Sequence, residues 1–201
     1  MTDVSSPPIS ARAREIVGAA RDLLEVEGPE AVSMRRIAER IGIKAPSLYK
    51  HFPDKSAVEN ALIAQGMAEL AEALEAVEAG VAPTARVAPG GGGVADVVRG
   101  EGAIVALAGA YRAYALAHPH LYRLMSGQPL DRAALPAGLE DRAAGPLVRA
   151  VGGDTDAARA VWGFAHGMVT LELAGRFPPE ADLSGAWAQG CAAFSAERAS
   201  G

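Results

Sequence analysis

Between Val32 and Val58 the chain reads VSMRRIAERIGIKAPSLYKHFPDKSAV, which sets Ser33, Arg35, Lys44, Ser47, Tyr49, Lys50, His51 and Lys55 among small residues such as Ala45 and Pro46. Their hydroxyl, imidazole, guanidinium and ammonium groups are the donors that suit phosphate oxygens. Small apolar surfaces beside them suit thymine methyl groups. Residues 31–55 hold six cations against two acids, and all three lysines of the protein fall between Lys44 and Lys55, although the 201-residue chain has a net charge of −5. Beyond Lys55 ten arginines face sixteen acids. A small basic module therefore precedes a larger acidic one, and for a polyanionic partner this distribution outweighs the sum. A lysine cluster alone is ordinarily a solvated face; its position in the motif described below gives it meaning.

A second set of side chains lies in residues 94–198, which hold most of the aromatic residues. Tyr111, Tyr114 and His118 fall on one helical stripe, and Trp162, His166 and Val169 on another at i, i+4, i+7, with Tyr122 and Met125 on a short segment between them. Stripes that face each other enclose an apolar cavity with a few polar groups; the same stripes serve equally well as core. Glu172, in an apolar stretch, either orients a polar atom of a bound molecule or is an exposed charge. His118 and His120 do not share a helix face and no carboxylate stands at ligand spacing, so no metal is expected. Nucleophile-elbow, P-loop, dinucleotide and zincin patterns are absent, and neither a catalytic role nor a cofactor is expected.

The elements that position these residues follow from helical periodicity, which recurs along the chain without useful β alternation, so the fold class is all-α. Ala13, Ile16, Val17, Ala20, Leu23 and Leu24 form one amphipathic stripe from Ser10 to Glu27, stopped by Gly28-Pro29. Ser33 caps a short second helix with Val32 and Ile37 as its hydrophobic staple, and Gly42 ends it. Pro46 opens a third helix through Phe52, with Leu48 and Phe52 facing inward, and Pro53 forbids continuation. Asp54 caps a long fourth helix ending near Gly80. Residues 81–93, with Gly90–Gly93, read as a flexible connection, and the first nine residues as a loose arm. Further helices are expected up to His118, over Pro119–Met125, Leu139–Val151, Asp154–Arg176 and Leu183–Glu197, with residues 126–138 looser. This divides the chain into domains 10–55 and 56–198. Cys191, the single cysteine, excludes an internal disulfide and reads as a small buried residue. The longest run without Asp, Glu, Lys or Arg, Leu183–Ala196, is too short for a membrane span. No apolar run follows a basic start, so no secretory signal is expected and the cytoplasm is the expected compartment.

Across residues 10–60 the combination of Gly28, Ser33, Arg36-Ile37-Ala38, Gly42, Ser47-Leu48-Tyr49, His51-Phe52 and Lys55 resembles the N-terminal domain of TetR-family transcriptional regulators. The resemblance implies a three-helix helix-turn-helix DNA-binding domain followed by a helical bundle for ligand binding and dimerisation. It implies a homodimer on a near-palindromic operator in double-stranded DNA, repressing transcription until a small hydrophobic effector binds; activation, or DNA binding without an effector, has the same sequence logic. Carried over, Tyr49 and His51 match residues that grip the DNA backbone and Lys55 a phosphate-contacting lysine. Ser33 and Arg35 are further phosphate candidates, and Lys44, Ala45, Pro46, Ser47 and Lys50 occupy the base-reading side, where Lys50 either selects guanine or meets a phosphate. Arg36 and Arg40 either touch DNA or pair with Glu39, Glu30 or solvent. The segments AYRAYALAHPHLYRLM and WGFAHGMVTLEL resemble the regulatory half of a subgroup named for its Trp, His-Gly pattern, which implies a ligand pocket among Tyr111, Tyr114, His118, Tyr122, Met125, Trp162, His166, Val169 and Glu172. In this family the two terminal helices pair with their symmetry mates, which points to Ala158, Gly163, Trp187, Gly190, Cys191 and Phe194 as the dimer interface, Trp187 and Phe194 serving equally well as intrachain core.

Overall fold

The computed structural model describes residues 10–80 and 101–196. The expected N-terminal arm and the expected flexible connection at 81–93, Gly90–Gly93 included, lie outside the described residues. Within them are nine α-helices and no strand: α1 (Ala11–Glu27), α2 (Met34–Arg40), α3 (Ala45–Leu48), α4 (Lys55–Glu78), α5 (Glu101–Ala117), α6 (Pro119–Ser126), α7 (Leu139–Ala150), α8 (Thr155–Leu173) and α9 (Ser184–Ala196). The all-α class expected from periodicity is the class observed.

Local chemistry sets the starts of these helices, because the first N–H groups of a helix have no intrahelical acceptor. Ser10 Oγ accepts from the Ala13 N–H, Ser33 Oγ from Arg36, Asp54 Oδ1 from Ala57, and Asp154 Oδ1 from both Asp156 and Ala157. Each acceptor stands at the N-terminal boundary of its helix, where Ser and Asp are favoured for this reason.

The chain forms two compact units. The first comprises the described residues up to Ala68 together with His118–Glu140. Its core contains the fully buried Ile16, Leu24, Ile37, Leu48, Val58, Leu62 and Leu121. Helix α1 packs on α2 and α6, and α2 on α3. At Gly66 of α4 an added Cβ would stand 2.7 Å from Leu121 Cδ2, so the absent side chain is what lets α6 approach. The sequence reading placed α6 with the C-terminal half; instead Leu121 and Tyr122 are buried within the first unit. Chain order gives no sign of a later segment returning to an earlier core.

The second unit comprises Glu69–Ala117 and the residues from Asp141 onward. Helix α5 packs on α8 and α9, and α8 on α9, around Ile104, Leu107, Ala115, Val161, Val169 and Cys191. Forked pairs join the end of α4 to α7: Arg142 Nε and Nη2 donate to Glu75 at 2.8 and 2.7 Å, and Arg149 Nε and Nη2 to Glu78 at 2.9 and 2.6 Å. Two parallel donors match both oxygens of a carboxylate.

Among the described residues, Glu75, Asp154 and Asp182 titrate below the ordinary carboxyl range. The hydrogen bonds from Arg142 hold Glu75 down, the Ala157 and Asp156 backbone N–H groups hold Asp154 down, and the Ser184 backbone N–H holds Asp182 down. A carboxyl with a lowered folded-state pKa contributes stability above its unfolded value and loses it as the pH falls through the folded one. The urea midpoint is therefore expected to stay level from neutral pH down to about pH 5 and to fall below about pH 4, with a smaller fall in Glu75→Gln. An equal acid response in wild type and variant would show that this pair carries none of it.

Candidate nucleic-acid interface

The exposed donors of residues 44–55 are placed by a turn and two buried side chains. Helix α2 ends at Gly42, whose φ of 69° lies in the left-handed region. The Gly42 N–H donates to the Glu39 carbonyl at 3.3 Å and the Ile43 N–H to the Ala38 carbonyl at 3.0 Å, which satisfies two of the last carbonyls of α2 and turns the chain into α3. Helix α3 is shorter than the Pro46–Phe52 span expected: Ala45–Leu48 is α-helical, and tight turns carry the chain to Phe52, with the His51 and Phe52 N–H groups both donating to the Leu48 carbonyl. Leu48 and Phe52 are buried. Lys44, Pro46, Ser47, Tyr49, Lys50, His51 and Lys55 are exposed in consequence, Tyr49 at 51%, and Ala45 is half-buried.

The cations around this surface fall into three groups. Arg36 Nη2 is 2.6 Å from Glu27 and Arg40 Nη2 is 3.2 Å from Asp22, so both arginines tie α2 to α1. Sequence spacing offered Glu39 and Glu30 as their partners; the carboxylates found lie nine and eighteen residues away in the chain. Arg35 Nε donates to Glu39 at 2.8 Å, and Lys55 Nζ is 3.3 Å from Glu59. The hydrogen bond and charge of Glu39 raise the Arg35 guanidinium above its ordinary value. Lys44 and Lys50 have no ion-pair partner among the described residues. Ser33 Oγ accepts from the Arg36 N–H at 3.3 Å, which leaves its hydroxyl proton to donate outward. The surface thus offers hydroxyl, phenol, imidazole and ammonium donors with no carboxylate between Lys44 and Pro53, a composition that suits a polyanion.

The residues expected to line one pocket are divided between the units. In the second unit Trp162 Nε1 donates to Tyr111 Oη at 3.2 Å, the Trp162 and His166 rings lie 6.0 Å apart, Tyr114 Oη donates to Glu69 at 3.0 Å, and Val169 is buried. His118, Tyr122 and Met125 belong to the first unit, with His118 Nδ1 3.6 Å from Glu25 and Met125 Sδ beside Gly66. Glu172 is not an exposed charge, its side chain being 8% exposed. It accepts from Arg112 Nη2 at 2.7 Å and from Trp187 Nε1 at 2.7 Å, and the Arg112 guanidinium lies 5.6 Å from the Trp187 ring centroid. Sequence reasoning missed Arg112; its signal was a lone arginine in an apolar helix, matched by a carboxylate within the apolar C-terminal part of another.

Of the residues expected at a dimer interface, Ala158, Trp187 and Cys191 are buried within the chain and Gly163 is exposed. Gly190 lies where a side chain would collide with the Phe164 ring, and the Phe194 ring is 6.0 Å from Phe164. Burial pushes the Cys191 thiol up, away from a reactive thiolate. Among the described residues no three His, Cys, Asp or Glu side chains converge as a metal site, and no helix is long and apolar enough to cross a membrane.

Comparison with known proteins covers both units. The family model for bacterial regulatory proteins of the tetR family matches residues 16–62, and that for the tetracyclin repressor-like C-terminal domain matches residues 104–194. An uncharacterized HTH-type transcriptional regulator of Mycobacterium tuberculosis is 28% identical over 177 residues, 84% of this chain and 73% of the relative. A solved protein of unknown function from Rhodococcus shares the fold with a TM-score of 0.71 at 24% identity, over 96% of this chain and 97% of its own. A TetR variant from Acinetobacter baumannii in complex with minocycline does so with a TM-score of 0.60 at 22% identity, over 92% and 95%.

Gly42 offers a direct check on how the surface is held. No atom would obstruct an added Cβ there, so the cost of Gly42→Ala is conformational alone. A left-handed alanine costs about 1–2 kcal/mol, and the urea midpoint of the variant is expected to fall accordingly. An unchanged midpoint would mean that the turn tolerates another geometry.

Proposed function

The chain belongs to the TetR family of bacterial transcriptional regulators, and from that premise we propose that it is a homodimeric, cytoplasmic repressor released from a near-palindromic operator by a small hydrophobic effector. The observation that carries the reading is the exposed row Lys44, Ser47, Tyr49, Lys50, His51 and Lys55, held outward by the buried Leu48 and Phe52. In the helix-turn-helix domain, Tyr49 and His51 grip the sugar-phosphate backbone, and Lys55, Ser33 and Arg35 meet phosphates. Lys44, Ala45, Pro46, Ser47 and Lys50 face base edges in the major groove. Phosphate contacts fix the register of the domain on the duplex; the base-facing group selects the sequence.

The minocycline complex of the Acinetobacter TetR variant supports the reading that a small molecule is the effector. Tyr111, Tyr114 and Val169 are buried and Trp162 is 54% exposed; with His166 they supply aromatic and apolar surface that favours a hydrophobic molecule. His118, Tyr122 and Met125 are assigned to packing within the first unit, and Glu172 to its pair with Arg112. The outer faces of α8 and α9 carry exposed small residues, Ala160 and Gly163 on one and Ala188 and Ala192 on the other, and permit close pairing with a second copy. Release from DNA then requires that the effector bind the operator-incompetent conformation more tightly, the difference being the coupling free energy.

Footprinting on the DNA upstream of the protein's own gene, at two salt concentrations, tests the reading. Wild type is expected to protect a near-palindrome, with affinity falling steeply as salt rises because phosphate neutralisation releases condensed cations. The double variant Tyr49→Ala, Lys55→Ala is expected to lose at least about ten-fold in affinity, since each residue contributes a polar or charged phosphate contact. Equal protection by the double variant would remove these residues from the interface.

A further inference from the structure

The cations beside the exposed face differ in what holds them, and the difference follows their proposed roles. Lys44 and Lys50, on the base-reading side, have no acidic partner among the described residues. Arg35 and Lys55, assigned to phosphates, each have a carboxylate one helical turn away in the same helix: Glu39 Oε1 at 2.8 Å from Arg35 Nε and Glu59 Oε1 at 3.3 Å from Lys55 Nζ.

We propose that Glu39 and Glu59 limit the affinity of the interface by competing with DNA phosphate for Arg35 and Lys55. The inference rests on the reading of Arg35 and Lys55 as phosphate contacts. It starts from what these two carboxylates do not do. Glu27 and Asp22 join α2 to α1 through Arg36 and Arg40, and Asp54 caps α4 through the Ala57 N–H. The Glu39 and Glu59 ion pairs, by contrast, are i, i+4 pairs within a single helix and join no two elements. The Arg35 side chain is 85% exposed, so its pair with Glu39 is of the solvent-facing kind that adds little to folding.

The same pairs matter more once a phosphate arrives. Either the carboxylate gives up its cation, and the duplex contact must replace that interaction, or it stays and places a negative charge beside the phosphate. Both routes weaken binding, by about two- to five-fold per pair on the scale of exposed ion pairs. Phosphates are alike at every sequence, so the penalty falls on the sequence-independent part of the affinity. Lys44 and Lys50 are left unattenuated. Glu39 and Glu59 thus set the overall affinity of the interface without touching a base, and a penalty common to all sequences leaves the discrimination between them unchanged.

Binding of the full-length protein to a mixed-sequence duplex of about 30 base pairs, long enough for two half-sites, measures this term at low salt without knowledge of the operator. Glu39→Gln and Glu59→Gln are each expected to bind about two- to five-fold more tightly than wild type, with an unchanged unfolding midpoint for the exposed Glu39. Arg35→Gln and Lys55→Gln are expected to weaken binding. Most of the Glu39→Gln gain should vanish when Arg35→Gln is already present. Unchanged or weaker binding by the glutamate variants, while the cation variants still weaken it, would overturn the competition and leave the phosphate contacts standing. A full Glu39→Gln gain without Arg35 would reduce Glu39 to simple repulsion and overturn it too. If Arg35→Gln and Lys55→Gln change nothing, the phosphate-contact reading itself fails and takes the inference with it.

Discussion

A helix of four residues cannot support itself. Helix nucleation is unfavourable, and isolated helices below about 12–15 residues are marginal in water, so Ala45–Leu48 is held by what surrounds it. What surrounds it is the burial of Leu48 and Phe52 on one side of the segment and the left-handed turn at Gly42 that delivers the chain to that place. Because successive side chains point in fixed directions once those two are buried, the outward direction of Ser47, Tyr49, Lys50 and His51 is not a separate choice. The functional surface is the complement of a hydrophobic contact, and its precision is that of the core beneath it.

Charge is distributed with a comparable division of labour. Structural ion pairs among the described residues are built on arginine: Arg36 and Arg40 tie α2 to α1, Arg142 and Arg149 tie α7 to α4, and Arg112 joins Glu172 between α5 and α8. The planar guanidinium forms two directed bonds to one carboxylate, whereas an ammonium is a hydrated point charge on a flexible stem. All three lysines of the chain stand on or beside the exposed face instead. A net negative protein can present a locally positive surface in this way, since most of its acids lie outside the segment that carries the lysines. The Glu172 cluster shows the cost side of the same chemistry. A buried carboxylate is tolerable only with several donors, and here Arg112 and Trp187 both supply them.

Features that depend on one helical turn were readable from residue order. Ser33, Asp54 and Asp154 cap because a short oxygen-bearing side chain at that position meets free N–H groups, and Gly42 ends α2 because only glycine enters the left-handed region without strain. The inward direction of Leu48 and Phe52 follows from a four-residue spacing in the same way. The features missed depend on the partner rather than the spacing. Nothing local distinguishes Glu27 from Glu39 as the acceptor for Arg36, or says that the stripe bearing Tyr122 and Met125 belongs to a different unit from the one bearing Trp162. The shortness of α3 belongs with these: Pro46 marks a start, but the turns after Leu48 are set by how Phe52 reaches its buried place.

The return of His118–Glu140 to the first unit changes what the DNA-binding domain is. A boundary at residue 55 leaves out Val58 and Leu62 of α4 and Leu121 of α6, all fully buried with Ile37 and Leu48 in one core. Residues 10–55 are therefore a motif without its full core, and the unit that carries α3 is assembled from two stretches of chain. Each stretch is covalently continuous with the second unit: α4 runs on from Ala68 to Glu69, and only His118 separates Ala117 of α5 from Pro119 of α6.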